Sequence, residues 1–376
     1  FGPDPTAPPL PDDVGTPREE IERVIRTELE RPPCFVAFSG GRDSSAILAL
    51  AMHVARRDGV EEPIPLTRRH EGAPMTDESE WQELVVRHLD VTNWERIVVV
   101  ADDLDMIGDI ALDAVRRHGP LHPSFGHMSV PLYRAATGGA VLTGEGGDEF
   151  FDLRRMVYAR KQARRLRKGL SRARLAGLAY TLAPVPLRRP WQLRDFERSD
   201  QFFGWLRPEP RRTAVRLLAD RAAEEPLRWS AFMRWAQRQR WATIPERMAD
   251  LIAADAGARN VDPLYAPRVI AALANDRRLL GHPDRSAAYR AIFGPLLPDS
   301  VWDRSTKASF NEAVATTRFL AFARDWDGNG FDHDLIDPDA LRREWLGEMP
   351  QVGALALLQL AWLRFEGVGQ ALSLIH

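Results

Sequence analysis

Phe38-Ser39-Gly40-Gly41-Arg42-Asp43-Ser44-Ser45 combines two adjacent glycines, three serine hydroxyls and one carboxylate within eight residues. An apolar run, Cys34 to Phe38, leads into it, and apolar residues at helical spacing follow from Ser44 to Arg57. The pattern predicts a buried strand, a glycine–hydroxyl loop and a helix start. Such a junction suits phosphate. Adjacent glycines let backbone approach a ligand and turn N–H groups inward. The helix N-terminus adds positive potential at the same place. Ser39, Ser44 and Ser45 add hydroxyl donors. Asp43 is the anomaly, because a carboxylate repels a polyphosphate unless a divalent cation lies between them. Mg²⁺ suits that position, since it binds through one or two carboxylates plus phosphate oxygens. Two other phosphate loops are excluded. No lysine lies nearby to make G-x-x-x-x-G-K-[ST], and adjacent glycines break G-x-G-x-x-G. A turn that binds nothing would need neither the serines nor the aspartate.

A second cluster lies about a hundred residues on, Thr143-Gly144-Glu145-Gly146-Gly147-Asp148-Glu149-Phe150-Phe151. Three carboxylates among three glycines repel one another unless they hold a cation or a proton. A solvated acidic turn is the simpler reading of this loop alone. Facing the first loop, Asp148 and Asp43 could share Mg²⁺ on a pyrophosphate, with Gly146 and Gly147 completing the cradle formed by Ser39, Gly40, Gly41, Ser44 and Ser45.

Both loops need strand ends to hold them. From Cys34 to Phe150 strand and helix signals alternate. Strands are expected at Cys34–Phe38, Ile64–Thr67, Arg96–Val100 and Ala140–Thr143. Helices are expected at Ser44–Arg57, Asp77–Leu89, Leu104–His118 and Met128–Ala136. This alternation predicts an α/β fold with a parallel, doubly wound sheet, in which ligands bind at the carboxyl ends of the strands. Residues 1–33 read as a proline-rich arm and a leading helix, with Thr16-Pro17-Arg18-Glu19 as its capping box. Residues 34–150 are expected to form the α/β core that carries both loops. Beyond Phe151 strand signals fade, so 151–376 is expected to be mostly helical, completing the site.

Net charge is −2, so no global field favours nucleic acid or a membrane. The one cysteine, Cys34, excludes a disulfide framework and reads as a core residue. Val352–Leu363 is too short and interrupted to span a bilayer, and the expected setting is reducing and cytoplasmic. Arginine carries almost all positive charge; only Lys161, Lys168 and Lys307 are lysines.

S-G-G-x-D-S resembles the loop of ATP pyrophosphatase (PP-loop) enzymes, which cut ATP between the α and β phosphates. Followed by G-E-G-G-D-E, it resembles the synthetase domain of the asparagine synthetase family, which includes β-lactam synthetases and lasso peptide macrolactam cyclases. Arg247–Tyr265 resembles that family's R-x-P-F-L-D segment, with Tyr265 where aspartate is usual. Arg304-Ser305-Thr306-Lys307-Ala308-Ser309-Phe310 resembles its R-x-x-K-x-x-F/Y signature. The resemblance, over residues 34–320, implies ATP and Mg²⁺ as cofactors. It implies adenylation of a substrate carboxylate, release of pyrophosphate, and attack by an amine with loss of AMP. Lys307 would stabilise the charge of the amide step, and Glu145 stands where the family has a residue linked to amine deprotonation. Glutamine-dependent members carry an N-terminal glutaminase domain. This sequence has Phe1 and a proline-rich arm there, so it is not expected to make its own ammonia.

A substrate amine that closes a ring, an intermolecular amine and ammonia fed by a separate partner all stay open, and ring closure of the lasso type is the favoured reading. A small-molecule amide synthesis like that of asparagine or β-lactam synthetases is the alternative. The basic run Arg154–Arg174, ten cations with no acid, could dock a precursor peptide or a leader-processing partner. A solvated helix is the plain reading of that run, and tRNA is a rival because PP-loop enzymes also modify tRNA. Those enzymes usually lack G-E-G-G-D-E, which argues against nucleic acid. A catalytically inactive peptide-binding scaffold is the reading of another class, against which the intact Asp43, Asp148 and Lys307 speak. Asp325–Gly330 imitates the start of a calcium loop, but Ile336 occupies the twelfth position, where glutamate is needed. His118, His122 and His127 are separated by Gly119, Pro120 and Pro123, which break helical ligand spacing. Trp229, Trp235 and Trp241 recur at helical spacing and read as core.

Overall fold

The computed structural model describes all residues except 1, 72–76, 152–154, 156–158, 160–161, 166–168, 170, 200–201, 277–280, 305–315 and 366–376. Five parallel strands form one sheet in the order β3-β2-β1-β4-β5: β1 Cys34–Ala37, β2 Ile64–Glu71, β3 Glu95–Val100, β4 Ala140–Leu142 and β5 Arg259–Val261. The helices of the first half are α1 Pro17–Leu29, α2 Arg42–Asp58, α3 Ser79–His88, α4 Asp109–His118, α5 Val130–Ala135 and α6 Gly147–Phe151. Those of the second half that bear on the site or the core are α7 Arg172–Leu182, α8 Val185–Arg198, α9 Pro208–Glu224, α10 Trp229–Ala236, α11 Arg240–Asp255, α12 Pro267–Asn275 and α13 Arg285–Phe293. The α/β, doubly wound architecture expected from the alternation is the one observed.

Strand alternation divides the core. Cys34, Val36 and Leu142 belong to a cluster with α1, α2, α10, α12 and α13 on one face. Phe35 and Val141 join α5 and α11 on the other. A strand covered on both faces must be apolar at successive positions, which is why Cys34-Phe35-Val36 is buried throughout. Burial pushes the Cys34 thiol up to about 12, as befits a core residue. Helix α2 is central, with Ile47, Leu48, Leu50 and Val54 fully buried. Its start and α1's start follow the sequence. Thr16 accepts from the Glu19 N–H at 3.3 Å, and Glu19 accepts from the Thr16 N–H at 2.7 Å.

Three features differ from the sequence expectation. β5 was not anticipated, because Arg-Asn-Val is short and has no apolar run, although Gly257 marks a turn before it. It becomes a strand only by pairing with β4 at Val141↔Asn260. The helix expected from Leu104 begins at Asp109, after a 3₁₀ turn over Ala101–Leu104. The proline-rich arm is docked: Asp4 N–H bonds the Arg238 carbonyl, and Asp4 accepts from the Thr243 hydroxyl at 2.6 Å. Those bonds, with Thr6 and Arg247, hold the Asp4 carboxyl well below the usual range.

Of the tryptophans read as core, Trp229 is buried, Trp235 partly so, and Trp241 is exposed. His118 pairs with Asp255 at 2.8 Å, while buried His127 bonds the Leu104 carbonyl. Asp327 turns back on Asn329 through two 2.8 Å bonds. Among the described residues, no helix is long and apolar enough to cross a membrane.

Candidate active site

Strand order reverses between β1 and β4, which lie side by side with Phe35 opposite Val141 and Val36 opposite Leu142. The loops leaving these two strands emerge next to each other at the topological switch point, where open α/β sheets bind ligands. Backbone packs on backbone there. A Cβ on Gly144 would come within 2.6 Å of the Ser44 nitrogen, and one on Gly147 within 2.5 Å of the Asp43 carboxyl carbon. Gly146 sits at φ +95°, against Leu264 and Tyr265. No residue with a side chain could bring the second loop this close, so the glycines between the acids are explained by contact with the first.

Inside the first loop, Ser39 and Ser44 hydroxyls bond each other at 3.1 Å, and the Gly41 N–H donates to Ser39 at 3.2 Å. Ser45 is fully buried, and among the described residues its hydroxyl has no partner. Gly41 caps α2 with no side-chain bond, so the first-turn N–H groups remain without a side-chain acceptor. The loop's carbonyls are held from behind: Gln82 donates to Ser39 O at 3.1 Å and Arg304 to Gly40 O at 2.6 Å. A trans peptide sets its N–H opposite its C=O, so the Gln82 bond turns the Gly40 amide away from α3, while the Gly41 N–H is taken by Ser39.

Arg304 is itself buried, pairs with Glu78, and stacks on the Trp81 ring at 4.9 Å. Its carbonyl accepts from Arg42. Lys307, three residues on, lies outside the described residues. On the far side of that segment, Thr316 donates to buried Asp105 at 2.5 Å. Arg304→Ala should remove the tie on Gly40 and deprive Glu78 of its guanidinium, a change that costs about 3–5 kcal/mol for a buried pair. The expected result is a raised KM for ATP and a lowered Tm. Arg304→Lys should recover the Tm in part but not the KM, because an ammonium does not reproduce the forked geometry. ATP titration with thermal melts checks this; an unchanged KM in the alanine variant would separate Arg304 from the loop's function.

Asp43 and Asp148 do meet, through a third group. Arg285, the first residue of α13, donates to both carboxylates, and the Tyr289 hydroxyl donates to Asp43. Side-chain exposures of 20% for Arg285, 23% for Asp43 and 46% for Asp148 leave the cluster partly open to solvent. Burial works against the Arg285 charge, but Asp43, Tyr289 and Asp148 outweigh it and hold its pKa above the usual value. Burial, then Asp43, pushes the Tyr289 hydroxyl well up.

Glu145 stands beside this cluster. The residue as a whole is exposed, yet its carboxylate is desolvated by the protein around it. Desolvation first, then the charges of Asp262, Glu149, Asp43 and Asp148, raise it to about 7. A hydrogen-bond chain fixes its backbone. Tyr133 donates to Asn260 at 2.9 Å, Asn260 to Asp262 at 2.8 Å, Thr143 to Asp262, and the Glu145 N–H to Thr143 at 3.1 Å. Asp262 is buried, and desolvation raises its pKa. Glu246 is raised to about 7, by burial first and then by Asp262 and Asp250. An acidic group near 7 can take a proton from an ammonium or an amine at neutral pH. The rate of the amine-dependent step should therefore fall as pH drops through about 7, where Glu145 loses its charge. Glu145→Gln should remove that limb of the pH profile, and an unaltered limb would free Glu145 of the role.

The residues present fit both ATP and Mg²⁺: an uncapped helix start, glycine backbone in contact, a buried hydroxyl with no partner, and two carboxylates converging on one position. Sequence reading brought forward the two loops. It missed Arg285 and Tyr289, which stand on a helix with no motif around them, and Gln82. It noted Asp262 only as part of a degenerate segment. The one available signal was the approach of Asn260-Val261-Asp262 to a strand-like triplet. In the basic run, Arg155 turns inward to the carbonyls of Thr181, Ala183 and Glu225, whereas Arg164 and Arg172 are exposed.

Against known protein families, residues 18–362 match the family described as asparagine synthase. No curated protein matches the chain.

Proposed function

The chain belongs to the asparagine synthase family, which makes it an ATP-dependent amide ligase, and from that premise we propose that it closes a macrolactam on a peptide, as lasso peptide cyclases do. The observation that carries the reading is the meeting of the two loops at the β1/β4 switch point, with acid-lined Glu145 beside the phosphate cradle.

In the first step a substrate carboxylate attacks the α-phosphorus of ATP. The bond to the β-phosphate breaks, and pyrophosphate leaves. The amides of Gly40 and Gly41, the N-terminal turn of α2 and the Ser39, Ser44 and Ser45 hydroxyls bind the leaving group, with Gly146 and Gly147 closing the cradle. Asp43 and Asp148 would hold Mg²⁺, which when bound neutralises phosphate charge. In the second step Glu145 takes a proton from the amine, and the amine nitrogen adds to the acyl carbon. Lys307 balances the oxyanion until AMP departs. Holding the amine and the acyl group in one cleft makes the second step effectively unimolecular.

Arg164 and Arg172, exposed in the basic run that follows the second loop in sequence, are the feature that favours a substrate longer than an amino acid. We place a precursor peptide there, with a leader-processing protein as a further partner of the same surface, and the cytoplasm as the setting. The test is mass spectrometry of a linear peptide with a free N-terminal amine and an internal Asp or Glu side chain, incubated with ATP and Mg²⁺. The reading predicts a product one water lighter whose amine no longer reacts with acylating reagents. Asparagine made from aspartate and ammonium, with peptides untouched, would overturn ring closure in favour of small-molecule synthesis.

A further inference from the structure

We propose that Arg285 bars Asp43 and Asp148 from divalent metal until nucleotide arrives, so that the metal enters this site only together with ATP. The proposal rests on the adenylating reading of the site and adds an order of binding to it.

The guanidinium donates to Asp43 with one terminal nitrogen and to Asp148 with the other. Those are the carboxylates that would hold the metal. A divalent cation and a guanidinium cannot both lie between them, because like charges at that distance repel and the site is partly screened from water. The pairing is well supported. Asp284 caps α13 by accepting from the Ala287 N–H at 2.9 Å, which fixes the backbone that carries Arg285. Arg285 also lies over the Tyr289 ring at 5.7 Å, and Tyr289 donates to the same Asp43. Charge-assisted bonds of this kind are about twice as strong as neutral ones.

One atom is unsatisfied. Among the described residues, the buried Arg285 Nε–H has no acceptor. A polyphosphate brings acceptor oxygens and negative charge at once. It can therefore compensate the guanidinium for losing Asp43 and Asp148, which metal alone cannot do. Mutual exclusion of metal and guanidinium, relieved by phosphate, is positive linkage between metal and nucleotide, and such coupling is reciprocal.

Mn²⁺ is the probe, its free concentration read by electron paramagnetic resonance, with and without the non-cleavable α,β-methylene analogue of ATP. Wild-type protein should bind Mn²⁺ at this site about tenfold or more tightly with the analogue than without it. Arg285→Gln should bind Mn²⁺ without nucleotide about tenfold more tightly than wild type, and the analogue should tighten Mn²⁺ binding less in this variant than in wild type. Arg285→Lys, which keeps the charge but cannot bridge both carboxylates, should fall between them and guards against a folding defect in the glutamine variant. Adding Asp148→Asn to Arg285→Gln should abolish the gained binding. If Mn²⁺ binds wild type and Arg285→Gln equally without nucleotide, while the analogue still binds with metal, the barrier is wrong and the adenylating site stands. If wild type binds neither the analogue nor Mn²⁺ in its presence, the adenylating reading itself fails, and the proposal with it.

Discussion

Replacing Lys307 with alanine is expected to slow amide formation by about 10²–10³ while ATP still binds, because a cation that balances a developing oxyanion contributes on that order. Lys307 is one of three lysines in a chain whose other basic residues are all arginine. That choice has physical content. An ammonium is a compact point charge able to sit on a single oxyanion, whereas a guanidinium favours planar, two-point partners. The segment that carries Lys307 is entered from Arg304, bonded to Gly40, and left through Thr316, bonded to buried Asp105. Both ends are therefore fixed relative to the phosphate loop and the core. Single-turnover measurement separates the steps. The alanine variant should still release pyrophosphate and yield an acyl group that hydroxylamine traps, but form amide slowly. Wild-type amide formation in Lys307→Ala would remove the residue from the mechanism.

The second large effect is expected at Asp148. Asp148→Asn should lower pyrophosphate release by about 10²–10³, since a metal held by its carboxylates stabilises transferring phosphate by several kcal/mol and each 1.36 kcal/mol is tenfold. Asp148 is the better test of the metal role than Asp43. Asp43 also accepts from Tyr289 in the core between α2 and α13, so its loss disturbs packing. Asp148 is 46% exposed on its side chain, and the asparagine keeps its shape. The Tm should stay near that of wild type while adenylation falls. Normal pyrophosphate release from this variant would contradict the metal assignment.

How much of this was written in the sequence differs from element to element, for physical reasons. The two loops were legible because their composition has few other uses. Paired glycines, serines and isolated acids at strand ends conflict with plain secondary structure, and the contact distances at Gly144 and Gly147 give the reason. The strands β1 and β4 were legible because burial on both faces demands continuous apolar runs, whereas β3, an edge strand with Val98 and Val100 exposed, was legible from its β-branched residues. β5 was not, because its three residues owe their conformation to β4, and with it the Asn260–Asp262–Thr143 chain that fixes Glu145 was also hidden. Arg285 was invisible for a different reason: one arginine among dozens carries no signal until the fold sets it between two acids 137 and 242 residues away in the chain. The docked arm was obscured by proline content, which describes stiffness but not what Asp4 can reach.

The central claim is that this switch-point site cuts ATP between the α and β phosphates to activate a carboxylate. The most direct measurement is the product balance from ATP labelled on both the α- and γ-phosphates, taken alongside amide formed on the linear peptide. The account predicts AMP and pyrophosphate in equal amounts, one of each per amide. ADP and inorganic phosphate accompanying amide formation would contradict it.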